Sequence, residues 1–287
     1  MSDIIPYNYH THTNFCDGRD SLEEMTAAAI RQNLKTIGFS GHSYTAYDES
    51  YCMSHENTLK YKQEIKRLQE KYKGKIEILC GIEQDFGSDE PTEDYEYVIG
   101  SVHCIFEKAT LKSKDMFHGY DRNHFFYVDW SIDKIIDAVN NHFSGDPYAF
   151  CERYYEMVTL LPEVTHCNII GHFDLVTKFN EKTPWFDESN PRYIHAYEKA
   201  LSLLLRKNVI FEINTGAMAR GFRTEPYPSS EILKEIKKGN GSIMINSDSH
   251  SVNTETYGFD HALDLAKSCG FTKIKKITSS GFEDVII

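Results

Sequence analysis

Two histidines one residue apart, His10 and His12, lie in Tyr9-His10-Thr11-His12-Thr13, at the end of an early apolar run. Alternate residues of a strand point to the same face, so both imidazoles are placed to reach one metal ion. Asp248 and His250 have the same spacing at the end of a late apolar run. A single pair of this kind is a weak signal for a metal site.

Four other apolar runs also stop at a residue type that binds metals. These are the runs that end in Gly41-His42, Gly81-Ile82-Glu83, Gly100-Ser101-Val102-His103 and Gly171-His172. Six such strand ends in one chain are hard to explain by packing alone, since charged and imidazole side chains are costly to bury without a partner. The pattern predicts a metal-dependent hydrolase.

The candidate ligands can be assembled into three groups, with Glu83 bridging the first and second. The groups are His10, His12, Glu83 and Asp248; Glu83, His103 and His172; and Asp17, His42 and His250. Spacing alone does not give these pairings, because they depend on which strands are neighbours in space. Mixed histidine and carboxylate ligands suit zinc, manganese or iron.

Strands and helices alternate along most of the chain, as parallel α/β folds require. Strands are predicted at 5–12, 35–40, 76–82, 97–102, 168–172, 209–214, 242–247 and 275–279. Helices are predicted at 21–32, 56–72, 131–143, 147–161, 191–207, 229–238 and 260–268, the first opening with a capping box of Ser21 and Glu24. Seven or eight parallel strands favour a barrel, whose active site forms at the carboxyl ends of the strands.

The composition limits the function further. A chain of 287 residues with a net charge of −12 suits one α/β barrel domain over 1–287, and argues against a surface that tracks nucleic acid. A small phosphorylated substrate remains compatible, because bound cations would invert the local field. No signal peptide and no apolar run long enough for a membrane span is visible, and seven cysteines without a Cys-x-x-Cys pair fit reduced thiols in the cytoplasm.

A long irregular segment at 107–129 is rich in lysine, histidine and aromatic residues, with Phe125-Phe126-Tyr127 near its end. Loops of this length inside a compact domain are usually functional or mobile. The segment is interpreted as a flap over the site, with an ordinary surface excursion as the alternative. His118 and His124 are then the histidines outside the strand ends with the best claim to a role.

These motifs resemble those of the polymerase and histidinol phosphatase (PHP) family. The resemblance runs from residue 5 to about 265 and fills nine ligand positions: His10, His12, Asp17, His42, Glu83, His103, His172, Asp248 and His250. It implies a distorted seven-stranded β/α barrel, a TIM-like (β/α)7 fold, with three divalent transition-metal ions at the carboxyl ends of its strands.

Within that family the chain looks most like the histidinol-phosphate phosphatase branch. The supporting stretches are 170–176, 212–216 and 225–228. The resemblance implies hydrolysis of L-histidinol phosphate by a metal-bridging hydroxide, within histidine biosynthesis. Glu83, Asp248 and His250 are the residues expected to take part in catalysis.

Other side chains are candidates for supporting roles. Arg153, Arg192 and Arg220 are the candidates for binding phosphate, although solvated helix charge would look the same in the sequence. Asp174 is expected either to orient the His172 ring or to cap the following turn. Asn214 is expected either to face the site or to close a turn.

Three alternatives stay open at this point. The first is a PHP phosphoesterase of another specificity: a nucleotide phosphodiesterase, a nuclease or a phosphotyrosine phosphatase. The second is an amidohydrolase, which also begins with His-x-His, but often needs a metal-bridging lysine where this chain has Glu83. The third is a barrel without catalytic activity, which we would expect to have lost ligands.

Overall fold

The computed structural model describes residues 5–106 and 125–287. Seven strands form one sheet in which all neighbouring strands are parallel. In sheet order they are β1 (Tyr7–Asn8), β2 (Thr36–Phe39), β3 (Glu77–Asp85), β4 (Tyr97–Ser101), β7 (Ile169–Ile170), β8 (Ile210–Asn214) and β9 (Ser242–Asn246). This architecture confirms the predicted distorted β/α barrel.

The two edges of this sheet meet through the backbone beyond β1 and β9. The His12 amide donates to the Ser249 carbonyl at 2.7 Å, and the Ser249 amide donates to the His10 carbonyl at 3.2 Å. Thr11 and Ser249 form a parallel bridge at the same place. Because these bonds join the first strand to the last, the barrel is nearly closed, and the two predicted His-x-His and Asp-x-His motifs lie side by side.

Helices connect the strands and cover the barrel from outside. They are α1 (Leu22–Arg31), α2 (His55–Lys71), α3 (Ile132–His142), α4 (Pro147–Val164), α5 (Pro191–Leu204), α6 (Gly216–Ala219), α7 (Ser230–Lys238) and α8 (Phe259–Ser268). The capping box at the start of α1 is present, since the Ser21 hydroxyl accepts from the Glu24 amide and Glu24 accepts from the Ser21 amide. None of the helices in 5–106 and 125–287 is both long and apolar enough to cross a membrane.

Strand β8 shows how the barrel can be buried on both faces and still hold polar groups. All five residues of Ile210–Asn214 are buried. Phe211 and Ile213 point to one face, where apolar side chains pack, whereas Glu212 and Asn214 point to the other. The side chains of Glu212 and Asn246 on the adjacent strand are hydrogen-bonded at 3.0 Å. The polar face therefore lies inside the barrel, below the site.

Two predicted elements differ from the structure. Strand β1 covers only Tyr7–Asn8 of the predicted 5–12. Beyond Asn8 the regular strand pairing stops, and the backbone makes single hydrogen bonds to Ser40 and Ser249, which follow other strands. The predicted strand 275–279 is β10 (Lys273–Thr278), which pairs antiparallel with β11 (Gly281–Ile286) in a separate two-stranded sheet. It is therefore not an eighth barrel strand.

The flap interpretation of 107–129 falls mostly on residues that the structure does not describe. Residues 107–124, including His118 and His124, lie outside the described part of the chain. At its end, β6 (Phe125–Tyr127) pairs antiparallel with β5 (Cys104–Phe106). Phe125 and Phe126 are buried in the hydrophobic core, so these two side chains pack inside the protein.

All seven cysteines are free, which agrees with the reduced thiols predicted from their spacing. Cys104, Cys167 and Cys269 are buried, whereas Cys80 is only half-buried.

Candidate metal centre

The loops at the carboxyl ends of the barrel strands bring all nine predicted ligands into one cluster. The cluster consists of His10, His12, Asp17, His42, Glu83, His103, His172, Asp248 and His250. His10, His12 and Glu83 are essentially inaccessible to solvent, whereas Asp17 and His250 stand at the open edge. In a parallel barrel the carboxyl ends of all strands lie at the same end of the barrel, so ligands from distant parts of the sequence converge here.

Glu83 lies at the centre of the cluster, and three imidazole nitrogens face one of its oxygens. Oε2 lies 3.2 Å from His10 Nε2, 3.3 Å from His12 Nε2 and 3.0 Å from His42 Nδ1. None of these four atoms has a hydrogen-bond partner within the described residues, although all are buried. A buried polar atom without a partner costs free energy, so this geometry calls for a cation between the nitrogens and the carboxylate.

The other oxygen of Glu83 faces a second pair of imidazoles. Oε1 lies 3.0 Å from His172 Nε2 and 3.4 Å from His103 Nε2, and it accepts a hydrogen bond from the Ser101 hydroxyl at 2.6 Å. One carboxylate thus serves two groups of nitrogens through its two oxygens. This is the geometry required of a ligand that bridges two ions.

A third group forms around Asp17 at the open edge. Asp17 Oδ2 lies 3.3 Å from His250 Nε2, and Oδ1 lies 3.7 Å from both His42 Nε2 and His12 Nδ1. His42 therefore offers one nitrogen to Asp17 and the other to Glu83. The grouping expected from the sequence has His42 in the third group alone, whereas the structure puts it in contact with two groups. The donor set of imidazoles and carboxylates fits zinc and related transition metals.

The charges in the cluster shift the pKa values of its members. Burial raises the pKa of Glu83, but the His42, His10 and His103 rings outweigh it and hold that pKa well below its usual range. Burial alone would lower the pKa of His10, but Glu212, Glu83 and Asp248 raise it well above its usual value. For His12, burial and the neighbouring His250 and His42 rings lower the pKa to about 3, which leaves it neutral and able to bind a metal.

Glu212 is a functional residue that the sequence analysis missed. Its Oε1 accepts a hydrogen bond from His10 Nδ1 at 2.7 Å, and its Oε2 accepts one from the His172 amide at 3.1 Å. The side-chain amide of Asn214 donates to Glu212 Oε2 at 2.8 Å, and that of Asn246 donates to Glu212 Oε1 at 3.0 Å. This network fixes the His10 tautomer, so that Nε2 keeps its lone pair toward Glu83. A charged residue inside an apolar strand was the signal available.

Asp85 plays the corresponding part for His103. Its Oδ2 accepts from His103 Nδ1 at 2.9 Å, and its Oδ1 accepts from the Tyr47 hydroxyl and the Gly87 amide, each at 2.7 Å. Asp85 lies two residues after Glu83 on β3, so both carboxylates point to the same side of the strand. That spacing was the signal available in the sequence.

Of the three predicted phosphate-binding arginines, the structure places Arg220 at the cluster. Its guanidinium donates to Asp248 Oδ2 and to the Asp248 carbonyl, both at 3.0 Å, and lies 3.1 Å from His250 Nδ1. The close approach of this loop requires Gly216, where a Cβ would lie 2.7 Å from Asp248 Oδ2. The side chain of Arg220 is 32% exposed, so it faces the open edge.

The other two arginines are engaged elsewhere, which corrects the expectation for them. Arg192 forms exposed ion pairs with Asp146 and Glu152 at 2.7 and 2.8 Å. Arg153 donates to the Phe106 carbonyl at 2.8 Å and to Glu156 at 3.1 Å. The partners of Arg192 belong to the preceding helix and its cap, and the Phe106 carbonyl belongs to a strand distant in the sequence, so spacing alone does not reveal these contacts.

Two further predicted residues can now be placed. Asp174 accepts from the Ser229 amide at 3.0 Å and has no hydrogen bond to His172, so the expected support of that ring is wrong. Asn214 does both things expected of it, because its Oδ1 accepts from the Gly216 amide at 2.9 Å while its amide group supports Glu212.

A cavity of about 310 Å³ opens beside the cluster. It is lined by the cluster residues Asp17, His42 and His103 and by four further residues, Tyr51, Tyr127, Asp129 and Trp130. Lys178 donates to the Asp129 carbonyl at 2.8 Å and to its carboxylate at 3.2 Å. Burial raises the pKa of Asp129, but the Lys178 ammonium and the His103 and His172 rings outweigh it and lower that pKa.

Comparison with known proteins gives consistent matches. The model of the family described as the PHP domain matches residues 8–216. A probable histidinol-phosphatase of Schizosaccharomyces pombe is 24% identical over 298 residues, covering 94% of this chain and 89% of that protein. A histidinol-phosphatase of Lactococcus lactis is 25% identical over 282 residues, covering 93% and 92% of the two chains.

Solved structures share the fold. A putative histidinol phosphatase of Listeria monocytogenes superimposes with a TM-score of 0.70 at 19% identity, over 89% of this chain and 99% of that one. A histidinol phosphate phosphatase of Lactococcus lactis, solved with zinc, L-histidinol and phosphate, gives a TM-score of 0.69 at 20% identity, over 97% and 98% of the two chains.

Proposed function

This chain belongs to the PHP domain family, and on that premise we propose that it is a phosphomonoesterase that hydrolyses L-histidinol phosphate to L-histidinol and phosphate. The observation that carries the proposal is the convergence of five imidazoles on the two oxygens of Glu83, next to an open cavity. The names of the relatives, and the zinc, L-histidinol and phosphate bound by the Lactococcus lactis protein, support the same activity. The product L-histidinol suggests a place in histidine biosynthesis.

We further propose that the cluster holds three divalent ions of zinc, manganese or iron. The proposed ligands are His10, His12, Glu83 and Asp248 for the first, Glu83, His103 and His172 for the second, and Asp17, His42 and His250 for the third. The unpartnered buried atoms of His10, His12, His42 and Glu83 support this occupancy. When bound, such ions neutralise phosphoryl oxygens and activate water at neutral pH.

The residues of the chain supply orientation and charge around that centre. Glu83 holds both imidazole groups at a fixed separation, and Glu212 and Asp85 hold His10 and His103 in the required tautomers. Asp248 positions Arg220, and its Oδ1 also lies 3.2 Å from His12 Nε2. We propose that the Arg220 guanidinium binds a phosphoryl oxygen, because it is held at the rim of the cluster and its pKa is raised beside Asp248.

A phosphate-release assay over a panel of phosphomonoesters and phosphodiesters tests this function. We expect kcat/KM for histidinol phosphate to exceed that for a generic aryl phosphate by about a hundredfold or more, roughly 2.7 kcal/mol of differential transition-state binding. Equal efficiency on both, or a preference for a phosphodiester, would overturn the assignment of the substrate. The same assay after chelation should show no activity, and activity should return with manganese or zinc.

A further inference from the structure

The cavity beside the cluster is lined by two chemically different sets of side chains, each of which we call a wall. One wall consists of ligand side chains, Asp17, His42 and His103, where a phosphoryl group would be bound. The other consists of three aromatic rings and one carboxylate, Tyr51, Tyr127, Trp130 and Asp129, which we call the aromatic wall. A substrate whose phosphate is bound at the first wall has the aromatic wall within reach of its organic part, in the same cavity.

The antiparallel pair β5–β6 fixes the distance between the two walls. Tyr127 is paired with Cys104, the residue directly after His103. The Val128 amide donates a hydrogen bond to the carbonyl of His103 at 2.8 Å. Asp129 is the residue directly after Val128, so its backbone is held next to a residue of the cluster. The aromatic wall is consequently tied to the cluster by main-chain hydrogen bonds and does not depend on side-chain packing alone.

The aromatic rings are arranged around an opening. The Tyr127 and Trp130 rings are 5.1 Å apart, and the Tyr51 ring meets the His42 ring edge-on at 5.1 Å. The Trp130 side chain is 56% exposed, which leaves one of its surfaces available at the rim. Aromatic faces attract cations, and the Asp129 carboxylate beside them adds negative charge that Lys178 at 3.2 Å offsets only in part.

We infer that the aromatic wall binds a cationic amine or imidazolium in the organic part of the substrate, with Asp129 as its counter-charge. This inference rests on the proposed phosphomonoesterase function and specifies the class of substrate that the site prefers. Asp129 is then a specificity-determining residue. Lys178, which pairs with one oxygen of Asp129 at 3.2 Å, holds the carboxylate in place and offsets part of its charge, so it is not the source of the preference for a cation.

The test compares two matched pairs of substrates on the metal-loaded enzyme. The pairs are histidinol phosphate with phenylpropyl phosphate, and aminoethyl phosphate with ethyl phosphate. Each pair consists of a cationic and an uncharged ester, so the ratio of their kcat/KM values measures the preference for a cation. The variants are Asp129→Asn, Asp129→Glu and Lys178→Gln, with Asp137→Asn as the matched control, since Asp137 is exposed on α3.

We expect the wild type to prefer the cationic member of each pair, and Asp129→Asn to reduce that preference by about tenfold or more. Asp129→Glu, which keeps the charge, should restore most of the preference, and Lys178→Gln should retain it. The inference is overturned if Asp129→Asn leaves both ratios unchanged, or if Lys178→Gln lowers them as much. Metal content and thermal unfolding of each variant show whether a lost preference reflects a damaged fold.

The two pairs separate this inference from the proposed function. If the aminoethyl ester is preferred in an Asp129-dependent manner but histidinol phosphate is a poor substrate, the proposed function fails and the inference stands. If histidinol phosphate is preferred over both uncharged esters and Asp129→Asn does not change the ratios, the proposed function stands and the inference fails.

Discussion

The carboxylate of Glu83 and the imidazole of His10 face each other with Oε2 and Nε2 3.2 Å apart, and neither atom has a hydrogen-bond partner in the described residues. On its other side, the His10 ring is held by Glu212 at 2.7 Å. The ring is thus oriented by one carboxylate so that its free nitrogen meets another. This arrangement makes sense when a cation lies between His10 and Glu83.

Replacement of Glu83 by alanine should abolish turnover and lower the bound metal, because this residue faces both imidazole groups. The measurements are phosphate release and metal content of the purified variant. His261→Ala is the control, since His261 is exposed and bonds only to Glu225 among the described residues. Comparable losses from both substitutions would mean that the site has been misplaced.

Replacement of Glu212 by glutamine should weaken metal binding by about tenfold to a hundredfold. Four groups donate to the two oxygens of Glu212, and a glutamine amide would face some of them with another donor. Competition with a chromophoric chelator measures the effect independently of activity. Unchanged affinity would show that the His10 ring needs no such support.

Arg220→Lys should lower kcat/KM for a phosphomonoester by about tenfold or more, since lysine keeps the charge but loses the two-pronged contact. The matched control is Arg192→Lys, because Arg192 forms exposed ion pairs with Asp146 and Glu152 away from the cluster. Steady-state kinetics of both variants decide the question. A larger loss in the Arg192 variant would reverse our assignment of the phosphate-binding arginine.

How far the sequence predicts the site depends on how local each signal is. The strand-end motifs around His10, Glu83 and Asp248 are local, and the structure brings these residues together. The parts played by Glu212 and the pairing of Arg192 depend on neighbours distant in the chain, which spacing does not specify. The single domain over 1–287 and the cytoplasmic location stay predictions.

Glu255 provides a test that is independent of the metal centre. It is buried, and burial raises its pKa from 4.5 to about 9. The folded chain therefore keeps a proton that the unfolded chain releases between about pH 4.5 and pH 9, so stability falls as pH rises through that range.

Glu255→Gln removes this proton uptake and should raise the free energy of unfolding by on the order of 1–3 kcal/mol at pH 8, with a much smaller gain near pH 5. Urea unfolding of the variant and the wild type at pH 8 and pH 5 measures the change in the free energy of unfolding. Glu70→Gln serves as the control because Glu70 is exposed. A gain that does not depend on pH would contradict the proposed protonation of Glu255.

The most direct test of the central claim, that the cluster is a multinuclear metal centre for phosphate-ester hydrolysis, is a titration of the metal-free protein with manganese or zinc. Bound metal per chain and phosphate release from histidinol phosphate are measured at each step. We predict that activity appears only when more than one ion is bound per chain. We also predict that Glu83→Ala lowers the number of ions bound per chain and abolishes activity. Full activity with no ion or one ion per chain would contradict the claim.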